Sequence, residues 1–181
     1  MPLQPRAWIG LVCWLTYVVI IVAIQRASGV PYTEWGTSAS NLWRGALISI
    51  LVGGVVLAGI SLRLGWFSAA MVDRRRSGAG WALIAPGLYM LVALGSLAAT
   101  RWDRLSADYL LAAAGLALAV GFAEEFVCWG VLLVGLRGSM RELLVWLLTC
   151  TLFGAMHVNA VAPTTTRIST SGGSSRRARR R

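Results

Sequence analysis

Long uncharged runs separated by short arginine-bearing breaks set the pattern of this 181-residue chain. Trp8 to Ile24 carries no charge between Arg6 and Arg26. The run is longer than the ~7–15-residue apolar core of a signal peptide, and Gln25-Arg26 lacks the small residues of a cleavage site. It reads as a first transmembrane helix, near the lower end of the ~17–25 residues that cross hydrocarbon. A polar loop with Pro31, Glu34 and Asn41 follows. The second span covers roughly Gly45–Leu62, and Arg63 is placed to snorkel at its end. Beyond Asp73-Arg74-Arg75-Arg76, a third span runs from Trp81 to Ala99, where Pro86 is tolerable. Tyr109–Leu136 and Leu143–Ala162 complete the set, with a turn between them near Ser139. The expected fold is all-α, a polytopic membrane helix bundle of about five transmembrane helices. Trp8, Trp43, Trp66, Trp81 and Trp102 fall near span ends, as an interfacial aromatic belt predicts.

Composition agrees with that pattern. Hydrophobic residues make up 57% of the chain and charged residues 13%, too little polarity to cover a soluble domain of this size. All 17 cations are arginine, and six of them (Arg167, Arg176, Arg177, Arg179, Arg180 and Arg181) lie in the acid-free last 15 residues. The remaining 11 arginines face 7 acids, a body charge of +4, so no nucleic-acid partner is expected. Membrane lipid is the expected surrounding, and the cell membrane the expected location. Seven body arginines fall on one side of the five spans and four on the other, which favours an inside N-terminus.

The stretch from Pro163 to Arg181 differs from everything before it. It holds eight Ser or Thr, six Arg and a single large apolar residue, Ile168. Residues 1–162 are thus expected to form a transmembrane domain, and 163–181 a disordered, low-complexity basic tail. Five spans would put that tail outside, against the arginine rule. It therefore reads either as a lipid-binding tail or as the product of an altered reading frame or gene end.

Cys13, Cys128 and Cys150 all lie in apolar runs without CxxC spacing, and read as small buried hydrophobes. The chemistry concentrates elsewhere. Glu124 and Glu125 sit just past the midpoint of Tyr109–Leu136, where a carboxylate costs a few kcal/mol and usually marks a functional site. Two adjacent carboxylates repel each other and favour sharing a proton, which suits general acid–base work. His157 is the only histidine. With the turn near Ser139, Glu124 lies 15 residues back and His157 18 residues forward. The depth mismatch is three residues, about 4.5 Å at the helical rise, which two side chains can cover. A carboxylate and an imidazole facing each other could hold and deprotonate a water. Phe153, four residues before His157, is placed to wall the imidazole.

Glu124-Glu125-Phe126-Val127-Cys128-Trp129-Gly130 resembles the E-E-x-x-x-R-G signature of the CAAX protease and bacteriocin-processing family, related to type II CAAX prenyl endopeptidases. Phe153-Gly154-Ala155-Met156-His157 resembles that family's F-x-x-x-H signature, in the same order and at a similar separation. The resemblance covers about Tyr109 to Ala162. It implies an intramembrane endopeptidase in which Glu124 and His157 activate the attacking water, with membrane-anchored or prenylated polypeptides as substrates. It also implies that Glu125 pairs with an arginine four residues on. Trp129 stands there instead, so Glu125 is expected to be buried without its partner, and Trp129→Arg to stabilise the chain. The third signature, H-x-x-x-N, implied to hold the oxyanion, has no counterpart after His157. An incomplete or degenerate copy of doubtful activity is therefore expected.

No cofactor is implied. Glu124, Cys128 and His157 could be drawn as metal ligands, but no second histidine or H-E-x-x-H pattern supports zinc, and no metal site is expected. Two other classes compete with the protease reading. One is a non-catalytic membrane protein acting in bacteriocin self-immunity or partner binding. The other is a proton-coupled transporter using Glu124, Glu125 and His157 as a relay, although no internal repeat supports it. Gly53, Gly54, Gly115 and Gly121 permit close helix packing without naming a partner or an oligomeric state.

Overall fold

The structure is a computed structural model that describes residues 3–72 and 84–157. These form an all-α bundle: α1 (Ala7–Ser28), α2 (Ala39–Leu64), a short α3 (Phe67–Met71), α4 (Ile84–Ala99), α5 (Ala107–Arg137) and α6 (Glu142–His157). Short 3₁₀ segments at Tyr32–Thr37 and Trp102–Arg104 punctuate the connections. The helices begin and end on recognisable chemistry. Ser38 and Ser106 accept from the backbone N–H of Asn41 and Tyr109 as N-caps, while Gly29 and Gly65 close α1 and α2 at positive φ.

Among the described residues, α1, α2 and α5 are long and apolar enough to cross a membrane; α4 and α6 are apolar but shorter. The chain is an integral, multi-pass membrane protein whose apolar outer faces meet lipid. Of the five expected spans, the third begins and the fifth ends outside the described residues, and the 163–181 tail lies wholly outside them.

Neither α2 nor α5 is uniform. Leu42–Leu47 in α2 and Glu125–Leu132 in α5 are π-helical, with i→i+5 backbone bonding inside otherwise continuous helices. The π segment of α5 begins immediately after Glu124.

The core lies where α1, α2 and α5 meet, around Tyr17, Leu47, Leu57, Ala123, Val127 and Val131. Glycines set the spacing. A Cβ on Gly135 would lie 2.7 Å from the Cα of Gly10, so α1 and the end of α5 cross nearly backbone to backbone. A Cβ on Gly54 would lie 2.9 Å from that of Ala123, and one on Gly53 an equal distance from the Tyr17 ring. Gly121, by contrast, has no neighbour within 4 Å of a Cβ among the described residues.

Two sequence expectations fail here. Trp66 is not part of an interfacial belt: only 2% exposed, it donates its indole N–H to the Leu3 carbonyl at 2.6 Å, and the Leu3 N–H donates to Leu64 O. Trp8, Trp43 and Trp102 are exposed, and Trp81 lies outside the described residues. Cys150 is exposed on the outer side of α6, whereas Cys13 and Cys128 are buried.

Candidate active site

A turn at Gly138–Arg141 folds α6 back along α5. Three contacts fix its register. Arg137 Nη2 and Glu142 Oε1 are 2.6 Å apart, with Arg137 Nε donating to the same carboxylate, and the Ala7 N–H donates to Ser139 Oγ at 3.2 Å. With Glu142 in the first turn of α6, its charge also favours the helix dipole. The hairpin brings Glu124 and His157 face to face, with Glu124 Oε2 3.8 Å from His157 Nε2.

The imidazole is oriented by its own helix. His157 Nδ1 lies 2.9 Å from the Phe153 carbonyl, which can only accept, so Nδ1 carries a proton. In the neutral ring Nε2 is then an acceptor turned toward Glu124. The Phe153 ring lies 4.9 Å from the imidazole centroid at 48° and forms one wall, with Trp129 behind it at 6.1 Å. The Glu124 side chain is 16% exposed and that of His157 52%, so the pair is enclosed on the α5 side and open on the α6 side.

Both residues line a cavity of about 340 Å³ between α1, α2, α5 and α6. Its α1 wall is the stripe Trp14, Val18, Ile21, Val22 and Gln25, and its α5 wall is Leu116, Val120 and Glu124. Tyr32 and Trp35 close it beside Gln25. The stripe from Trp14 to Gln25 is about 16 Å long at the helical rise. Most of the lining is apolar, so a carboxylate and an imidazole are its main reactive groups.

Glu125 is not where the sequence reading put it. Although adjacent to Glu124, it is exposed on the outer face of α5 while Phe126, Val127 and Cys128 turn inward. Successive residues of a helix point about 100° apart, so two adjacent acids cannot share one face. Trp129 is half-buried, packed on Trp146 at 5.8 Å and on Phe153, so it fills an aromatic contact between α5 and α6. An arginine there would lose that packing and would have no buried carboxylate to meet.

Cys128 Sγ is 3.7 Å from Met156 Sδ, a packing contact beneath the site. Among the described residues, no group of three His, Cys, Asp or Glu side chains is arranged to hold a metal ion. Among the described residues, three buried side-chain polar atoms lack a hydrogen-bond partner: Trp14 Nε1, the Tyr17 hydroxyl and Thr149 Oγ1. Sequence reasoning passed over all three, since each lies in an apolar run and reads as packing.

No curated protein and no solved structure matches the chain. The family model for type II CAAX prenyl endopeptidase Rce1-like proteins matches residues 106–173, which take in α5, α6, both halves of the Glu124–His157 site and part of the Ser/Thr/Arg stretch.

Proposed function

We propose that this chain is an intramembrane endopeptidase of the CAAX-processing type, in which Glu124 and His157 activate water against a peptide bond. The observation that carries the reading is the 3.8 Å separation of Glu124 Oε2 and His157 Nε2 at the wall of an apolar cavity. That gap is too long for a hydrogen bond. It leaves room for a water about 2.8 Å from both atoms, at the apex of a triangle. Glu124 takes one proton from this water while the neutral His157 Nε2 accepts its other O–H and aims a lone pair at the scissile carbonyl. A C–O bond forms, the C–N bond breaks, and the proton held by Glu124 passes to the departing amine. Phe153 acts through His157, fixing the tautomer with its carbonyl and the ring plane with its side chain.

The similarity over residues 106–173 supports membrane-anchored or prenylated polypeptides as the substrate class. The apolar length of the cavity suits a substrate that carries its own apolar anchor. The cell membrane is the proposed location.

Turnover of the chain alone is expected to be near background. The resemblance assigns oxyanion stabilisation to an H-x-x-x-N motif, and no histidine follows His157. Each missing oxyanion donor is worth about 10²–10³ in rate. The test is cleavage of a prenylated peptide in liposomes by the chain alone, and by the chain fused to a helix bearing H-x-x-x-N. Cleavage should appear with the fusion and vanish on Glu124→Ala. Cleavage that survives Glu124→Ala would remove Glu124 from the chemistry.

A further inference from the structure

The cavity that Glu124 and His157 line is bounded at its far end by a second one. This outer cavity, of about 350 Å³, is lined by Arg26, Val30 and Pro31 at and just past the end of α1. The two share three lining residues, Gln25, Tyr32 and Trp35. Those side chains therefore stand between an inner apolar space and an outer space of nearly equal volume.

The partition is pinned on several sides. The Trp35 indole lies over Gly45 of α2, where a Cβ would come 2.6 Å from the ring, so only glycine leaves the indole its seat. The indole N–H donates to the Val30 carbonyl at 3.4 Å, and the Tyr32 ring packs against it with centroids 4.5 Å apart at 56°. Gln25 Nε2 donates to Ser49 Oγ at 3.4 Å, which ties the α1 member of the group to α2. The 3₁₀ segment that carries both rings is held as well. Asn41 Nδ2 donates to the Glu34 carbonyl at 3.0 Å, and the Tyr109 hydroxyl of α5 donates to the Gly36 carbonyl at 3.1 Å. Anchored to α2 and α5, the helices that flank the inner cavity, the two rings form a fixed wall and not a loose flap.

We propose that Trp35, with Tyr32 against it, is the specificity-determining end wall of the site and limits a substrate's apolar anchor to the inner cavity. The inference rests on the reading that a peptide bond is held at Glu124 and His157, and it deepens that reading by naming the anchor: a single apolar chain no longer than the α1 stripe, about 16 Å. A longer chain must fold back on itself or displace the indole, and overpacking of this kind costs roughly tenfold in affinity.

Two probes test the wall: an alanine peptide whose one cysteine carries a thioether-linked decyl chain, and the same peptide with an eicosyl chain, each chain ending in a diazirine. Both are bound to the full chain in lipid nanodiscs and photolysed, and the labelled residues are read by mass spectrometry. In the parent, the decyl terminus should label the inner cavity at Ile50 or Leu116, and neither probe should label Val30 or Pro31. Trp35→Ala should let the eicosyl terminus reach Val30 and Pro31. It should also raise eicosyl affinity relative to decyl roughly tenfold, a ratio in which partitioning into lipid cancels between parent and variant. Gly45→Ala, which crowds the indole off its seat without removing it, should act in the same direction and covers a Trp35→Ala chain that fails to fold. Outer-cavity labelling in the parent overturns the proposal, as does a labelling pattern unchanged in every folded variant. A shifted pattern in a protein that cleaves neither probe, even with a fused H-x-x-x-N helix, upholds the wall and sinks the protease reading instead. Where cleavage is measured, Trp35→Ala should lower KM for the eicosyl probe several-fold more than for the decyl probe.

Discussion

Helices α4 and α5 are both apolar and glycine-bearing, yet they occupy opposite situations. On α5, Gly130 and Gly135 lie against the backbones of Ala70 and Gly10, and Phe126, Val127, Val131 and Leu132 are buried. On α4, Gly87 and Gly95 meet nothing within 4 Å among the described residues, and Leu88 to Val92 are each more than half exposed. Composition does not separate them. In lipid, burying an apolar side chain against protein gains little over leaving it in hydrocarbon, so association follows from close backbone approach and shape. Glycine marks an interface only where a facing backbone is in register to use it.

The most damaging change should be Gly135→Val. Its Cβ would fall 2.7 Å from the Gly10 backbone, which cannot swing aside as a side chain could. A loss of about 3 kcal/mol, the upper end of ordinary overpacking, should appear as an early transition in denaturant titrations of the detergent-solubilised chain. A native midpoint would mean that α1 and α5 do not cross this closely.

Trp129→Arg should come next, at roughly 2 kcal/mol, from lost contacts to Trp146 and Phe153 plus a charge brought into apolar surroundings. This reverses the sequence expectation that arginine would stabilise, which required a buried Glu125. Thermal stability equal to or above the parent would restore the original view.

The smallest effect, and the sharpest contrast with Gly135, should come from Gly95→Ala on α4. With no described residue near the added methyl, the gain is the helix-propensity difference, roughly 0.5–1 kcal/mol in favour of the variant. Destabilisation in the same titration would reveal a neighbour that α4 packs against.

The sequence made some of this architecture legible. The α5–α6 hairpin followed from counting residues either side of Ser139, because helical rise is fixed and apolar runs mark the spans, and this count placed Glu124 and His157 at similar depth. Facing was not legible. Membrane helices are apolar on all sides, so no polar face tells which residues turn inward. Hence Glu125 was expected to be buried beside Glu124 and lies outside, while Tyr17 passed as one more apolar residue of α1. Trp66 escaped for a different reason. Its partner is the Leu3 carbonyl, 63 residues away in sequence, and no local pattern reports such a bond. The π segments were equally hidden, since the glycine in each, Gly45 and Gly130, also occurs in regular membrane helices and reports no change of winding.

The π segment has a consequence for the rotational phase of α5. Glu124 is the last residue of the α-helical part before i→i+5 bonding begins, and Gly135 lies in the α-helical turn after it. The wider turns between them advance each residue by a smaller angle than an α-helix would. The azimuth of Glu124 is thus decoupled from the azimuth of the helix end locked to Gly10. Were Glu125–Leu132 to rewind as regular α-helix with the Gly135 end held, the preceding part of α5 would rotate about its axis. The carboxylate would swing off the His157 side without any contact at the Gly135 crossing being broken. Alignment of the acid with the imidazole is therefore a matter of local winding, set within eight residues, and not of how tightly the bundle packs.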